Sequence, residues 1–201
     1  MGVFDLRAQF AQYGEFHSNR VNIAIHMVFV PVILWCSLAL ATALCPGAAV
    51  PWPEPVGRWL QLLPGAAPPL NLSAVVLAGF NAFYVLLDPI AGLLATPLLY
   101  ACLATSQQFI LASADAWRPV LGLFVAAWVA QFIGHGVFER RAPALLDSLN
   151  QALVMAPFFV FLEALFALGY RPALHRELRN DIGKRVHAFR RKKQAPKGES
   201  K

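Results

Sequence analysis

Formal charge is scarce along most of this 201-residue chain. Only 14% of the residues are Asp, Glu, Lys or Arg, whereas 58% are hydrophobic and the mean hydropathy is +0.53. A soluble domain carries charge on about a quarter of its residues. Charge is absent from five long windows, at 21–53, 59–87, 89–114, 119–138 and 148–162. Because a membrane span needs about 20 mostly apolar residues, this distribution excludes an ordinary soluble domain and predicts an integral membrane protein.

Cysteine and strand-like alternation are also lacking. The three cysteines lack metal-site spacing and are odd in number, so we expect ordinary buried thiols at Cys36, Cys45 and Cys102. No segment alternates with a period of two, so we expect no strands. No cleavable signal peptide is expected, since the first apolar run follows charged residues and is too long for one.

The apolar windows predict an all-α fold. We expect a polytopic helical membrane bundle of four to five apolar helices, preceded by an amphipathic helix with Phe4 or Leu6, Phe10 and Tyr13 near one face. The proline-rich connector at 46–71 cannot be helical throughout, and Asp88-Pro89 should kink or interrupt the second span. The amphipathic helix is expected at 3–14, and the spans at about 22–45, 72–95, 97–112, 119–138 and 152–170.

Basic residues are concentrated at the C-terminal end. Eleven of the 17 Lys and Arg lie in 171–201, and such a cluster after a span is typical of the cytosolic side and of contact with anionic lipid. We therefore expect a membrane-embedded domain over 1–175 and a basic cytosolic tail over 176–201. Nucleic acid is not an expected partner. His175 and His187 are expected to be solvated.

Three histidines lie at the borders of apolar runs. His17 and His26 lie at the start of the first run and His135 at the end of the fourth, where a polar residue in a membrane suggests a functional site. Imidazole is also the commonest protein ligand for a transition metal. If the first four segments all cross, these histidines and Glu139 meet at one membrane boundary. A shared metal site therefore requires four crossings.

Helical spacing limits how these side chains combine. Residues four apart share a helix face, as in the pair Asn22 and His26. His17 and His26 are nine apart, about 180° out of phase at roughly 100° per residue. A shared ion therefore requires non-helical backbone near 18–21, where Ser18 and Asn19 are suitable turn or N-cap residues.

The second histidine block leaves several alternatives open. Gln131, His135 and Glu139 are spaced four apart, and the flanking glycines, Gly134 and Gly136, permit close approach of the first span. Glu139 is a metal ligand, an acceptor that orients a histidine, or a solvated boundary charge beside Arg140 and Arg141. Each histidine taken alone is more often a hydrogen-bonding boundary residue than a ligand. Structural roles are favoured for the two other intramembrane acids, Asp88 and Glu163.

These blocks resemble a known family. Three blocks carry the resemblance, and they contain Tyr13, His17, Asn22-Ile-Ala-Ile-His26 and Pro31, then Gln131-Phe-Ile-Gly-His135-Gly-Val-Phe-Glu139 and Ala-Pro143, then Pro157, Glu163 and Tyr170. They resemble the iron-dependent 2-hydroxy fatty acid dioxygenases of the endoplasmic reticulum. The resemblance covers about residues 1–175.

The resemblance implies an activity and a site. A long-chain 2-hydroxy fatty acid and O2 would give the acid one carbon shorter and CO2, as in phytosphingosine degradation. The implied Fe2+ ligands are His17, His26 and His135. From their spacing, we also expect Glu139 to be a catalytic residue, and Asn22, Gln131 or Glu139 to orient the ligands. The implied location is the endoplasmic reticulum membrane, or the inner membrane of a bacterium.

Two other functions remain open at this stage. A small transporter or lipid-binding membrane protein would use Asp88, Glu163 and the histidines as proton or substrate contacts. A pair of histidines would also suit haem ligation.

Overall fold

The structure is a computed structural model that describes residues 2, 4–46, 53–61, 69–141 and 151–194. Within these ranges the chain is helical and contains no β-strand, which confirms the predicted all-α class. Two π-helical segments, π1 and π2, accompany the α-helices. In chain order the elements are α1 (Leu6–Gly14), α2 (Arg20–Leu44), α3 (Glu54–Gln61), α4 (Leu72–Leu87), α5 (Pro89–Leu111), α6 (Trp117–Ile133), π1 (Gly134–Glu139), π2 (Gln151–Met155), α7 (Ala156–Ala167) and α8 (Pro172–Gln194).

Three of the described helices are long and apolar enough to cross a membrane. They are α2, α5 and the continuous helix formed by α6 and π1. A fourth candidate is the broken pair 153–167 and 172–191, which is bent by 120°. Helix α4 is apolar but has only 16 residues, about 24 Å, against a hydrocarbon core of about 30 Å. Three or four of the described segments are therefore long enough to span, and α4 is a further apolar helix, which agrees with the predicted bundle.

The predicted border between the second and third spans is wrong. The chain breaks at Asp88, between α4 and α5, and not near residue 96. Asp88 has extended backbone, and its side chain accepts a hydrogen bond from Ala91 N at 3.2 Å. Pro89 then occupies the first helical turn, where its missing N–H costs nothing. Asp88 thus has the structural capping role predicted for it.

Contacts divide the chain into two units, 1–24 with 133–201 and 25–132. In the second unit, α2 packs against α5 and α6 through Cys36, Ala39, Ile110, Ala116 and Val120. Asn81 on α4 hydrogen-bonds Thr96 on α5 at 3.1 Å, so these two helices fold back on each other. A buried polar network also joins α2, α4 and α5. Its members are Thr42, Asn71, Ser73 and Gln107.

In the first unit, α1 is packed by its apolar face. Asp5 caps the helix by accepting a hydrogen bond from Ala8 N. Leu6, Phe10 and Tyr13, which were predicted to lie near one face, are buried, whereas Phe4 is exposed. The Phe10 ring lies 5.1 Å from Phe159 and 5.5 Å from Phe166 of α7, both edge to face. This face of α1 is therefore covered by protein.

Helix α8 contacts α1 through an apolar stripe and ion pairs. Leu178 is fully buried, and a Cβ added to Gly14 would meet the Ile182 side chain. Arg7 pairs with Glu177 at 2.9 Å and with Asp181 at 2.8 Å. The expected domain border at residue 175 falls inside this helix.

Some predicted exposures are corrected. His187 is exposed as predicted, but His175 is not simply solvated, since its ring stacks on Phe166 with centroids 4.7 Å apart. Cys36 is buried and Cys102 partly buried, whereas Cys45 is exposed because it lies just beyond the end of α2.

Candidate metal centre

The break between α1 and α2 frees His17 from the helical phase that would place it on the face opposite His26. Helix α1 ends at Gly14 and α2 begins at Arg20, so 15–19 form a non-helical turn. A non-helical segment was predicted at 18–21, and the turn falls about three residues earlier. Asn19 caps α2 as predicted, because its Oδ1 accepts from Val21 N at 2.8 Å and Asn22 N at 3.4 Å.

His135 lies in a π-helical segment. Helix α6 changes from α to π winding at Gly134 and keeps it as far as Glu139. The segment ends at Arg140, whose φ of 54° is left-handed, and Arg141 N donates to His135 O at 3.3 Å. Short π segments inside helices often occur at functional sites because they redirect side chains.

The structure brings the three predicted histidines together. His17, His26 and His135 each offer one ring nitrogen, and these atoms all lie within 4.8 Å of one another. All three residues are buried, with exposed fractions of 8%, 3% and 5%. Nitrogens bound at about 2.1 Å to one ion are at most about 4.2 Å apart, so the separations are close to those of a metal shell. Among the described residues no other group of His, Cys, Asp and Glu meets this test.

A backbone carbonyl orients the ring of His17. His17 Nδ1 donates to Tyr13 O at 2.9 Å. Because a carbonyl oxygen only accepts, Nδ1 carries the proton and the lone pair lies on Nε2, the form that binds a metal. The Tyr13 ring stacks on His17 at 3.9 Å with an interplanar angle of 14°, and the rings of His17 and His135 lie edge to face at 4.9 Å. Burial raises the pKa of the Tyr13 hydroxyl well above its usual range, so this ring is a neutral phenol.

Glu139 accepts hydrogen bonds from the turn that carries His17. Its carboxylate accepts from Ser18 N at 3.1 Å and Asn19 N at 2.9 Å, and also from the Ser18 hydroxyl. These N–H groups precede α2, where a carboxylate is favoured by the helix dipole. Hydrogen bonds to an ionised acceptor are among the stronger ones in proteins. Glu139 therefore joins the end of π1 to the start of α2.

Asn22 connects the backbone beside His17 to Glu139. It is fully buried one helical turn before His26, and its Nδ2 donates to Phe16 O at 3.3 Å and to Glu139 Oε2 at 3.2 Å. One carboxamide thus contacts the residue before His17 and the residue four after His135. Asn22 therefore links the two backbone segments that carry His17 and His135.

The remaining predicted residues of the second block differ in their surroundings. Gln131 is buried, and its Nε2 has no hydrogen-bond partner in the part of the chain that the structure describes. Gly134 is buried, but a Cβ at Gly136 would meet nothing within 4 Å. The prediction of close packing at Gly136 is therefore wrong, because this glycine faces outward.

Two contributions to the site were missed from the sequence. The stacking of Tyr13 on His17 follows from their spacing of four at the end of a helix, which was a usable signal. Arg141 was considered only as a boundary charge, yet its side chain is only 16% exposed and contacts the turn before His17. No local pattern predicts that contact, since its partners are about 125 residues away along the chain.

The chain is similar to proteins of a known family. Residues 3–168 match a family model described as 2-hydroxy-palmitic acid dioxygenase Mpo1-like. The chain is 37% identical over 182 residues to a Saccharomyces cerevisiae protein named 2-hydroxy-palmitic acid dioxygenase MPO1. That alignment covers 90% of this chain and 91% of the yeast protein. No solved structure matches the chain.

Proposed function

Since the chain belongs to the 2-hydroxy-palmitic acid dioxygenase Mpo1-like family, we propose that it is an Fe2+-dependent dioxygenase of long-chain 2-hydroxy fatty acids. The observation that carries this proposal is the cluster of three buried imidazoles with nitrogens within 4.8 Å of one another. The products would be CO2, water and the fatty acid one carbon shorter. Substrate oxidation then releases the four electrons that O2 accepts, so no further reductant is needed.

The donor set suits ferrous iron. Imidazole is a common ligand of iron, and non-haem oxygenases leave positions open for substrate and O2. Bound iron would supply the redox chemistry with O2 and would chelate the 2-hydroxy acid through its carboxylate and hydroxyl oxygens. We propose His17, His26 and His135 as the ligands.

The surrounding residues would hold this shell in place. Tyr13 O keeps His17 in the tautomer with its lone pair on Nε2. Glu139 and Asn22 fix the turn before α2 against π1 through hydrogen bonds. Burial of all three histidines limits access of water to the reacting groups. We propose Glu139 as a residue that positions the ligands, in preference to a ligand.

The apolar surface beside His135 suits the alkyl chain of the substrate. Phe132, Ile133, Val137 and Phe138 flank His135 on the same helix and are exposed. In a membrane these side chains would lie against acyl chains, which are chemically like the tail of the substrate. We therefore propose that the tail lies along this surface, in lipid, while the polar end reaches the histidines.

Product analysis tests the proposed reaction. Protein purified in detergent and loaded with Fe2+ is incubated with O2 and 2-hydroxy acids of several chain lengths. We expect each accepted acid to yield the acid one carbon shorter. Absence of product at every chain length, in protein shown to contain iron, would refute the proposal.

Histidine variants test the proposed ligands. His26→Ala and His135→Ala should each lower turnover by more than about 100-fold, beyond the effect of losing a residue that only orients a ligand. Both should also lower the iron retained after gel filtration. His187→Ala is the matched control, because this histidine is exposed on α8, and it should retain iron and activity. Full iron retention by both site variants would reject this ligand set.

The transporter alternative is not favoured. Asp88, one of its proposed contacts, is used as the helix cap of α5, and the matching family is named for a dioxygenase.

We further propose an integral membrane location, the endoplasmic reticulum in a eukaryote, with the basic C-terminal residues in the cytosol.

A further inference from the structure

The Arg141 side chain is enclosed by aromatic rings and acceptors. Its guanidinium carbon lies 3.7 Å from the centre of the Phe16 ring and 4.2 Å from that of Phe189. The guanidinium edge donates to Glu15 O at 2.9 Å and to Glu15 Oε1 at 3.2 Å. Only 16% of the Arg141 side chain and 19% of the Glu15 side chain are exposed.

These contacts connect the backbone beside two of the three histidines. Glu15 and Phe16 immediately precede His17, and the backbone N of Arg141 donates to the carbonyl of His135 at 3.3 Å. Arg141 therefore holds the His17 turn with its side chain and the His135 segment with its main chain. Displacement of Arg141 would remove one support from each of the two segments.

Helix α8 completes the support. Ile182 lies against Gly14, Arg185 approaches Glu15 at 3.8 Å, and the Phe189 ring lies 4.2 Å from the Arg141 guanidinium carbon. These three positions are spaced i, i+3 and i+7, so they share one face of α8. One face of this basic helix thus contacts Gly14 and Glu15, which lead into His17, and the Arg141 side chain.

We propose that Arg141 is a positioning residue that sets the distance between His17 and His135, and that α8 acts through Phe189 as part of this support. The inference rests on the proposed metal site. Arginine suits the position because its planar group stacks on two rings while its edge donates hydrogen bonds. A lysine ammonium keeps the charge but has neither the flat faces nor the fork of donors.

Metal affinity and ligand geometry test the proposal. The probe is Co2+, measured by competition with a chelator and by the visible absorption of the bound ion, in full-length protein in detergent. Arg141→Ala should weaken Co2+ binding roughly 10- to 100-fold, the range for residues that orient ligands, and alter the absorption bands. Arg141→Lys should fall in between. Phe189→Leu, which keeps the volume apolar but removes the ring, should weaken binding in the same direction.

Arg140→Gly is the matched control. Arg140 is the neighbouring cation, is exposed, and has a φ of 54° that glycine adopts without strain. This variant should bind Co2+ as the unaltered protein does. A double variant of Arg141→Ala and Phe189→Leu should lose less than the product of the two single effects, because both act through one contact.

The outcomes separate the inference from the proposed function. If the unaltered protein binds neither Co2+ nor Fe2+, the metal site itself is wrong. If it binds Co2+, but Arg141→Lys and Phe189→Leu keep its affinity and absorption bands and lose only thermal stability, Arg141 is merely structural and the inference is overturned. These two conservative variants keep the test decisive should Arg141→Ala fail to fold.

Discussion

At the scale of single residues, the site shows how polar groups are placed in an apolar chain. The His17 ring donates to the Tyr13 carbonyl. The Arg141 N–H donates to the main-chain carbonyl of His135, and Asn22, one turn before His26, donates to Glu139. A buried polar group without a partner is costly, and the bond to the Tyr13 carbonyl offsets this cost for the His17 imidazole. The carboxylate of Glu139 is nearby but receives donors from the α2 turn.

Glu139→Gln tests whether this carboxylate anchors the turn before α2 or binds the metal ion. Glutamine keeps the size but places an amide N–H₂ where Ser18 N and Asn19 N now donate to oxygen. We expect roughly tenfold weaker Co2+ binding, with the absorption bands of the bound ion kept. Glu54→Gln, at an exposed salt bridge with Arg58, is the control. Complete loss of Co2+ binding, or replaced absorption bands in residual complex, would instead identify Glu139 as a ligand.

At the scale of elements, the site depends on how helices end. The α1–α2 turn and the change to π winding at Gly134 both interrupt regular helices, and each carries a histidine. Helix α6 and π1 form one continuous helix, but the π winding of its last residues points their side chains in directions that differ from those of an α-helix. Helix α8 then supports the α1 end, partly through the pairs of Arg7 with Glu177 and Asp181.

The α1–α8 contact should weaken in acid. The hydrogen bond from Arg7 holds the pKa of Asp181 below its usual range. Because the pKa is lower in the folded than in the unfolded chain, where it is about 3.9, this pair stabilises the fold above about pH 4. Its stabilisation is lost as the pH falls through the folded pKa. Between pH 6 and pH 3, the melting temperature of Asp181→Asn should therefore fall less than that of the unaltered protein. The difference should be roughly 1–2 °C, as for an exposed pair.

Asp115→Asn controls for loss of a carboxylate alone. The Asp115 salt bridge is with Arg118, three residues away, and joins no second helix. The melting temperature of Asp115→Asn should follow that of the unaltered protein across the same pH range. Equal acid sensitivity of Asp181→Asn and the unaltered protein would show that the Arg7 pair contributes nothing measurable.

At the scale of the whole molecule, parity determines how the chain crosses the membrane. His26 near the start of α2 and His135 at the end of the α6 helix lie within reach of one ion, so an even number of crossings separates them. The three long helices supply an odd number. Helix α4 folds back on α5 through the Asn81–Thr96 hydrogen bond, and we infer that it is the fourth crossing despite its 16 residues.

Cysteine labelling tests this topology. One variant has Cys36 and Cys102 replaced by alanine and keeps Cys45, just after α2. Two further variants also lack Cys45 and carry a single cysteine at Ser148 or at Ser200. With an impermeant maleimide and sealed vesicles, we expect the cysteines at 148 and 200 to label from the cytosolic side. Cys45, across α2, should label from the other side. Labelling at 148 and 200 from opposite faces would show that the segment between them crosses the membrane.

Much of the fold can be predicted from the sequence, because the hydropathy of a segment depends only on its own residues. Charge-free windows predict where α2, α5 and α6 lie, since each must match the thickness of a bilayer. Asn19 and Asp88 are recognisable as caps from residue type and position. An interruption at Asp88-Pro89 was predicted, but the border between the two spans was placed near residue 96, because the apolar run continues on both sides of Asp88.

The sequence by itself determined the class of this protein, the membrane setting and the identity of the three histidines. Scarcity of charge makes a buried imidazole conspicuous, and the family resemblance adds the chemistry. Only the tertiary structure decided which acceptors and donors surround the histidines. Glu139 meets Ser18 across 121 positions, and Arg141 meets Glu15 across 126. Such contacts depend on the packing of distant elements, and no local periodicity encodes them.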